Sequence, residues 1–254
     1  MTTTLVLLRH GQSLWNAENR FTGWYDTDLS DIGRAEAAAA GTALADAGIQ
    51  PGILHTSVLT RAIRTAEIAL ASAQLSWIPV RRHWRLNERH YGDLTGANKA
   101  ETTERFGADQ VKVWRRSYDV PPPAIAADNA WNPNDDPRYA SLAPEVVPAT
   151  ECLADVVGRM LPWFHDAIVG DLDTYGTVLV VAHGNSIRAL VKHLDDVGDD
   201  AITGVEIPTG VPLVYELGDD RRPTERIDVL DRALGDPAEI AAAAQAVADQ
   251  AATT

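Results

Sequence analysis

The chain has 254 residues, 45% of them hydrophobic and 23% charged, enough to bury a sizeable core in one large domain or two small ones. Its 36 acidic and 22 basic side chains give a formal net charge of -14, which speaks against nucleic acid or an anionic membrane as partner. Cys152 is the only cysteine, so no intrachain disulfide and no cysteine-based metal site is expected, and the direct run from Met1 into an apolar stretch predicts a cytoplasmic protein.

That stretch, Leu5-Val6-Leu7-Leu8, stops at Arg9-His10 and turns at Gly11. An apolar run bounded by a turn signal reads as a buried strand of a parallel sheet, and polar groups just past its carboxyl end sit where open α/β sheets bind ligands. Residues 16–28 are polar and aromatic and read as an ordered loop. Ser30 fits the N-cap of a helix over 31–47, rich in alanine and ended by Gly48. A short strand over 52–56 leads into a helix over 60–73 with Arg61 in its first turn, and 79–82 reads as another strand.

There the alternation of strand and helix stops. Residues 98–106 and 108–117 read as two helices, whereas 121–148 is rich in Pro, Asn and Asp and shows neither period. Its length points to a functional loop or small cap. A helix resumes over 150–169, with Thr150 as N-cap and Pro162 predicting a kink. Val178-Leu179-Val180-Val181-Ala182 then repeats the first pattern, runs into His183-Gly184-Asn185-Ser186, and is followed by a helix to about residue 195. Residues 213–217 predict a strand and 226–230 an edge strand. The alanine-rich tail after Pro237 predicts a weakly held helix, with Ile240 and Val247 as its larger apolar side chains. The whole reads as a single α/β domain over 1–254. It has three layers, with a mostly parallel central sheet flanked by helices, a helical and loop cap inserted over about 93–150, and a loosely held tail over about 236–254.

Two imidazoles, His10 and His183, and two guanidiniums, Arg9 and Arg61, all fall just past strand ends. In an acidic protein such a gathering reads as a phosphate pocket built around a nucleophile. Phosphoryl transfer needs positioning and charge stabilisation, and arginine supplies both through a planar, permanently charged fork. A neutral imidazole attacks phosphorus, and a second one, if protonated, is an added cation beside the moving group. On spacing alone either His10 or His183 fits the nucleophile.

Arg9-His10-Gly11-Gln12-Ser13 with Trp15-Asn16 resembles the signature of the histidine phosphatase superfamily. Further stretches resemble its cofactor-dependent phosphoglycerate mutases: Glu18-Asn19-Arg20-Phe21-Thr22-Gly23-Trp24, Leu86-Asn87-Glu88-Arg89-His90-Tyr91-Gly92, Asn98-Lys99-Ala100-Glu101, Trp114-Arg115-Arg116-Ser117-Tyr118-Asp119 and Ile207-Pro208-Thr209-Gly210. The likeness spans about 5–217. It implies an isomerase of glycolysis and gluconeogenesis, interconverting 3- and 2-phosphoglycerate through a phosphohistidine. The primer would be 2,3-bisphosphoglycerate, with no metal. His10 would be the nucleophile, Arg9, Arg61 and His183 would grip the phosphoryl group, and Glu88 would be the general acid and base. Ser13, Asn16, Thr22, Gly23 and Asn185 would complete the phosphate shell, while Tyr91, Lys99, Arg115 and Arg116 would hold the substrate's carboxylate and far phosphate. The likeness also implies a homo-oligomer, dimer or tetramer, whose partners are small phosphoglycerates, not nucleic acid or membrane. One departure is Gln12, where the family usually carries Glu. The rival readings are a histidine phosphatase using the same pocket and a catalytically silent phosphate sensor. Intact His10, Arg9, Arg61, Glu88 and His183 oppose the second, and the cap with Lys99, Arg115 and Arg116 opposes the first.

Overall fold

A computed structural model of the chain describes residues 2–252. In chain order its elements begin with β1 (Thr3–Arg9), a one-turn α1 (Leu14–Ala17), α2 (Asp31–Asp46), β2 (Ile53–Thr56), α3 (Thr60–Ser72) and β3 (Val80–Arg82). Then come α4 (Lys99–Phe106), α5 (Ala108–Arg116), α6 (Leu153–Trp163), a π turn over Phe164–Ile168 and α7 (Val169–Tyr175). The chain ends with β4 (Thr177–Ala182), α8 (Gly184–Leu194), α9 (Asp199–Ile202), β5 (Pro212–Leu217) and α10 (Pro237–Ala252).

Among the described residues the strands form one sheet in the order β3-β2-β4-β1-β5, and only β5 runs antiparallel to its neighbour. The central strands are apolar on both faces because helices cover both. Leu5, Leu7, Val178 and Val180 pack against Met160, Phe164 and Leu190, while Val6, Leu8, Leu179 and Val181 pack against Ala40, Leu44, Ala66 and Ala69. The three-layer architecture expected from the residues is therefore the one observed. Among the described residues no helix is long and apolar enough to cross a membrane.

Pairing of β1 with β4 puts Arg9 opposite Ala182, so the residues following each strand, His10 and His183, emerge side by side. Their ring centroids are 4.9 Å apart. Gly11 permits the turn that follows because the backbone of α2 touches it there. An ideal Cβ on Gly11 would lie 2.2 Å from the Gly33 carbonyl oxygen, and one on Gly33 would lie 2.0 Å from that of Gln12. Neither partner is a flexible side chain that swings away. Gly33→Ala should therefore cost roughly 3 kcal/mol, read as a lower urea midpoint at unchanged slope. A change below about 0.5 kcal/mol would show that the contact relaxes freely.

Three expectations need correction. The helix predicted from Thr150 begins at Leu153 with Cys152 as N-cap, because the Thr150 hydroxyl donates instead to the Pro122 carbonyl at 2.7 Å. The Pro162 kink takes the form of a π turn starting two residues later, after which the helix runs on to Tyr175. Proline has no N–H to donate to the preceding turn, and a widened turn absorbs that break. Residues 226–230 form no strand. Isolated bridges to Pro223 and Ala233 meet the outer edge of β5, and Val229–Arg232 is a 3-10 turn tied down by Arg232, which donates to Asp195 at 2.9 Å. The 121–148 stretch holds no α-helix or strand, only 3-10 turns at Pro133–Asp135, Pro137–Tyr139 and Pro144–Val146. Buried Tyr139, whose hydroxyl accepts from Asn87 at 2.8 Å, anchors it.

Candidate active site

The carboxyl ends of β1, β2 and β4 open into a cavity of about 90 Å³. Arg9, His10, Arg61, Glu88, Asn16, Thr22, Gly23, Tyr91, Lys99, Arg115, Arg116 and Asn185 line it, which brings together all but two of the expected residues. The two not on its wall are Ser13 and His183. Ser13 caps α1, accepting from Asn16 N at 3.1 Å and donating to Asn16 Oδ1 at 2.9 Å, so it aims a side chain that does line the cavity. His183 stands behind His10, fully buried.

His10 is set up as a neutral imidazole. Its Nδ1 lies 2.7 Å from the Gly11 carbonyl oxygen, which can only accept, so the ring proton sits there and Nε2 keeps its lone pair. Burial first, then Arg61 and Arg9, hold the ring well below the usual histidine range, so it is unprotonated at neutral pH. Arg61 Nε points at Nε2 from 3.3 Å, and its other nitrogens donate to the carbonyls of Tyr25 at 3.0 Å and Gly23 at 2.8 Å. Gly23 can turn its carbonyl this way because it sits at φ +55°. Burial pulls even the Arg61 guanidinium down to about 10, against the raising influence of Glu88 and Asp26.

The His183 ring, which the strand pattern allowed as an additional cation, is held toward its neutral form. Burial, Arg61 and His10 hold its ring well below the usual value. Ser57 Oγ accepts from Leu59 N and lies 2.8 Å from His183 Nε2. Either group can give the proton at that contact, and Nδ1 is buried with no hydrogen-bond partner among the described residues.

Glu88 enters from the segment after β3. Its Oε1 accepts from the backbone N–H of Arg89 at 2.7 Å and of Asn185 at 3.1 Å. Its own carbonyl accepts from Trp24 at 2.7 Å and from Arg159 at 2.9 Å. Arg159 also donates to the carbonyls of Arg85 and Asn87 and is paired with Glu151, so α6 clamps the whole segment. The carboxylate is thus oriented by backbone, and the surface ion pair with Arg85 or Arg89 that spacing alone permits is not formed.

The cavity holds a surplus of positive charge. Arg20 and Arg188 join the five expected cations in its lining, against Glu88 and Glu206 among the described residues. Burial, with Arg115, Arg9 and Arg116, pulls the Lys99 ammonium down to about 7, so an arriving anion also draws a proton onto it. Arg9 Nε, Thr22 Oγ1 and Arg116 Nη1 are buried polar atoms with no partner among the described residues. Unsatisfied donors and excess cations together describe a site for a ligand carrying more than one anionic group. No group of metal-ligating side chains occurs among the described residues.

The family model of the histidine phosphatase superfamily (branch 1) matches residues 5–131 and 126–228. A 2,3-bisphosphoglycerate-dependent phosphoglycerate mutase of Thermobifida fusca is 63% identical over 221 residues, covering 87% of this chain and 90% of that one. The chain belongs to this mutase family. A mutase of the same description from a Nocardioides species is 56% identical over 250 residues, 98% of this chain and 99% of its own. The fold also matches a solved mycobacterial glucosyl-3-phosphoglycerate phosphatase, with a TM-score of 0.67, 25% identity and coverage of 87% and 94%. Family membership makes the cavity the natural seat of the chemistry. Three polar lining residues had been given no role from sequence: Arg20, Arg188 and Glu206. Gln12 points the other way, its amide oxygen accepting from Ser30 at the start of α2 at 2.8 Å, so this departure bears on a helix cap and not on the cavity wall.

Proposed function

We propose that the chain interconverts 3-phosphoglycerate and 2-phosphoglycerate through a phosphohistidine on His10 Nε2. The observation that carries the reading is a neutral, cavity-facing imidazole flanked by Arg9 and Arg61 and opposed by a backbone-oriented carboxylate, Glu88. 2,3-bisphosphoglycerate supplies the phosphoryl group that charges His10. The unpartnered donors of Arg9, Thr22 and Arg116 fit its oxygens. Arg9, Arg61 and the His183 ring, 4.9 Å from His10, surround the transferring group and stabilise the charge that spreads over it. Glu88 accepts the proton of the attacking substrate hydroxyl and returns it to the leaving one. Asn16, Thr22, Gly23 and Asn185 complete the phosphate shell, Ser13 acting through Asn16, while Tyr91, Lys99, Arg115 and Arg116 hold the far end.

Water has to be excluded, because hydrolysis of the charged histidine turns a mutase into a phosphatase. The tail contributes to that: Val247 of α10 lines the cavity, and Ile240 and Ala244 are buried against the body. The same reading places the enzyme in the cytoplasm as a homo-oligomer, for which the exposed edge strand β3 is the available sheet edge. Turnover of 3-phosphoglycerate is the test, measured with and without 2,3-bisphosphoglycerate and with EDTA present. Formation of 2-phosphoglycerate that rises with the bisphosphate and ignores the chelator is expected. Release of inorganic phosphate alone would replace the mutase by a phosphatase.

A further inference from the structure

The three residues Val205, Glu206 and Ile207, between α9 and β5, are each held by a different arginine. Arg188 Nε donates to the Val205 carbonyl at 2.9 Å, and Arg9 Nη1 donates to that of Ile207 at 2.7 Å. Between them Arg116 Nη2 meets Glu206 Oε1 at 2.5 Å, with Arg188 Nη2 3.9 Å from Glu206 Oε2. The pair is mostly buried, its side chains 17% and 20% exposed, and it lies in the cavity wall.

As a purely structural pair this one is incomplete. An arginine and a carboxylate that serve only each other form a two-pronged contact, whereas here one prong is made. Arg116 Nη1 and Glu206 Oε2 are both buried with no hydrogen-bond partner among the described residues. Glu206 therefore sits at an anion position without filling the donors that define it. Among the described residues it is one of two carboxylates in the lining, and the other, Glu88, is held at the reacting end by backbone N–H groups.

We propose that Glu206 determines specificity at the far end of the cavity, as a built-in carboxylate that an anionic substrate group must displace from Arg116. This rests on the mutase reading and deepens it. By offsetting one unit of charge between Arg116 and Arg188, Glu206 weakens the hold on the substrate's far anionic group. A bisphosphorylated acid then releases one end and turns over instead of staying fixed. Binding substrate more tightly without binding the transition state more tightly lowers KM and gains nothing in kcat.

Glu206→Gln keeps the volume and one acceptor but removes the charge. Its KM for 3-phosphoglycerate and its half-activating concentration of 2,3-bisphosphoglycerate should each fall about threefold or more, and kcat should fall with them. Glu206→Asp, which withdraws the carboxylate by one methylene, should move both in the same direction by less. Unchanged or raised values in Glu206→Gln would overturn the proposal, because they are what a carboxylate that merely holds Arg116 in place would give. Calorimetric binding of 2,3-bisphosphoglycerate to His10→Ala and to His10→Ala/Glu206→Gln repeats the comparison without phosphoryl transfer. Tighter binding in the double variant is expected, and equal or weaker binding again overturns it. A wild-type protein that forms no 2-phosphoglycerate would instead sink the mutase reading, a result distinct from either.

Discussion

His10→Ala should abolish turnover of 3-phosphoglycerate, with a loss on the order of 10⁵-fold, because the covalent route disappears with the imidazole. The protein should remain folded, since Arg61 keeps its bonds to the Gly23 and Tyr25 carbonyls when Nε2 is removed. Labelled 2,3-bisphosphoglycerate should leave an acid-labile phosphoryl group on the wild type and none on the variant. The spacing of the two His-Gly elements left His183 as an equal candidate, and geometry separates them. His10 lines the cavity with an unprotonated nitrogen, whereas His183 lies behind it with one nitrogen engaged by Ser57 Oγ. Label retained on His10→Ala, or turnover within tenfold of wild type, would move the nucleophile to His183 or end the covalent mechanism. The reactive form also exists without a prior proton loss. His10 is held well below the usual histidine range, so no acid limb near pH 6.5 should arise from its titration in the free enzyme.

The reacting end of the site was legible because its residues follow immediately from strands that announce themselves. Leu5 to Leu8 and Val178 to Ala182 are apolar without interruption, and parallel pairing of such runs delivers their next residues to one place. Arg61 was equally readable, in the first turn of the helix after the neighbouring strand. Family likeness added the far end, where Lys99, Arg115 and Arg116 sit on helices whose local pattern is that of an ordinary charged surface.

Arg188, Arg20 and Glu206 went unread for a physical reason. On α8 Arg188 follows Asn185 by three residues, which by itself describes one more cation on a helix face. Its burial depends on the 199–211 segment folding over it and offering the Val205 carbonyl. Arg159 is the same case, invisible until α6 packs on the segment carrying Glu88. Thr150 shows tertiary structure overruling a local rule: a good capping residue found a better acceptor in Pro122, twenty-eight positions earlier. The edge strand expected over 226–230 failed similarly. Ile227 and Leu230 remain exposed, because Arg232 fixes the segment through Asp195 and through stacking on Tyr215 at 4.2 Å, and no ladder forms.

Glu88→Gln should lower kcat by roughly 10²- to 10⁴-fold with little change in KM, the range that loss of a general acid and base produces. The substitution preserves shape, and backbone fixes its orientation. The N–H groups of Arg89 and Asn185 require an oxygen at the Oε1 position, so the glutamine amide must place its NH₂ group where Oε2 now stands. That position faces Gly184, where even an added Cβ would lie at an ordinary contact distance of 3.7 Å from Oε2. An amide nitrogen at that point donates and cannot take a proton from a substrate hydroxyl. Charging of His10 should slow by a similar factor, because the departing hydroxyl of the bisphosphate needs a proton from the same group. Single-turnover labelling of His10 and steady-state turnover should therefore fall together, while the urea midpoint stays close to that of the wild type. Slow turnover with normal labelling would mean that a group other than Glu88 serves one direction of transfer. A kcat within threefold of wild type would leave Glu88 only its place between two backbone donors, and the proton would have to travel through Tyr91 or Lys99 instead.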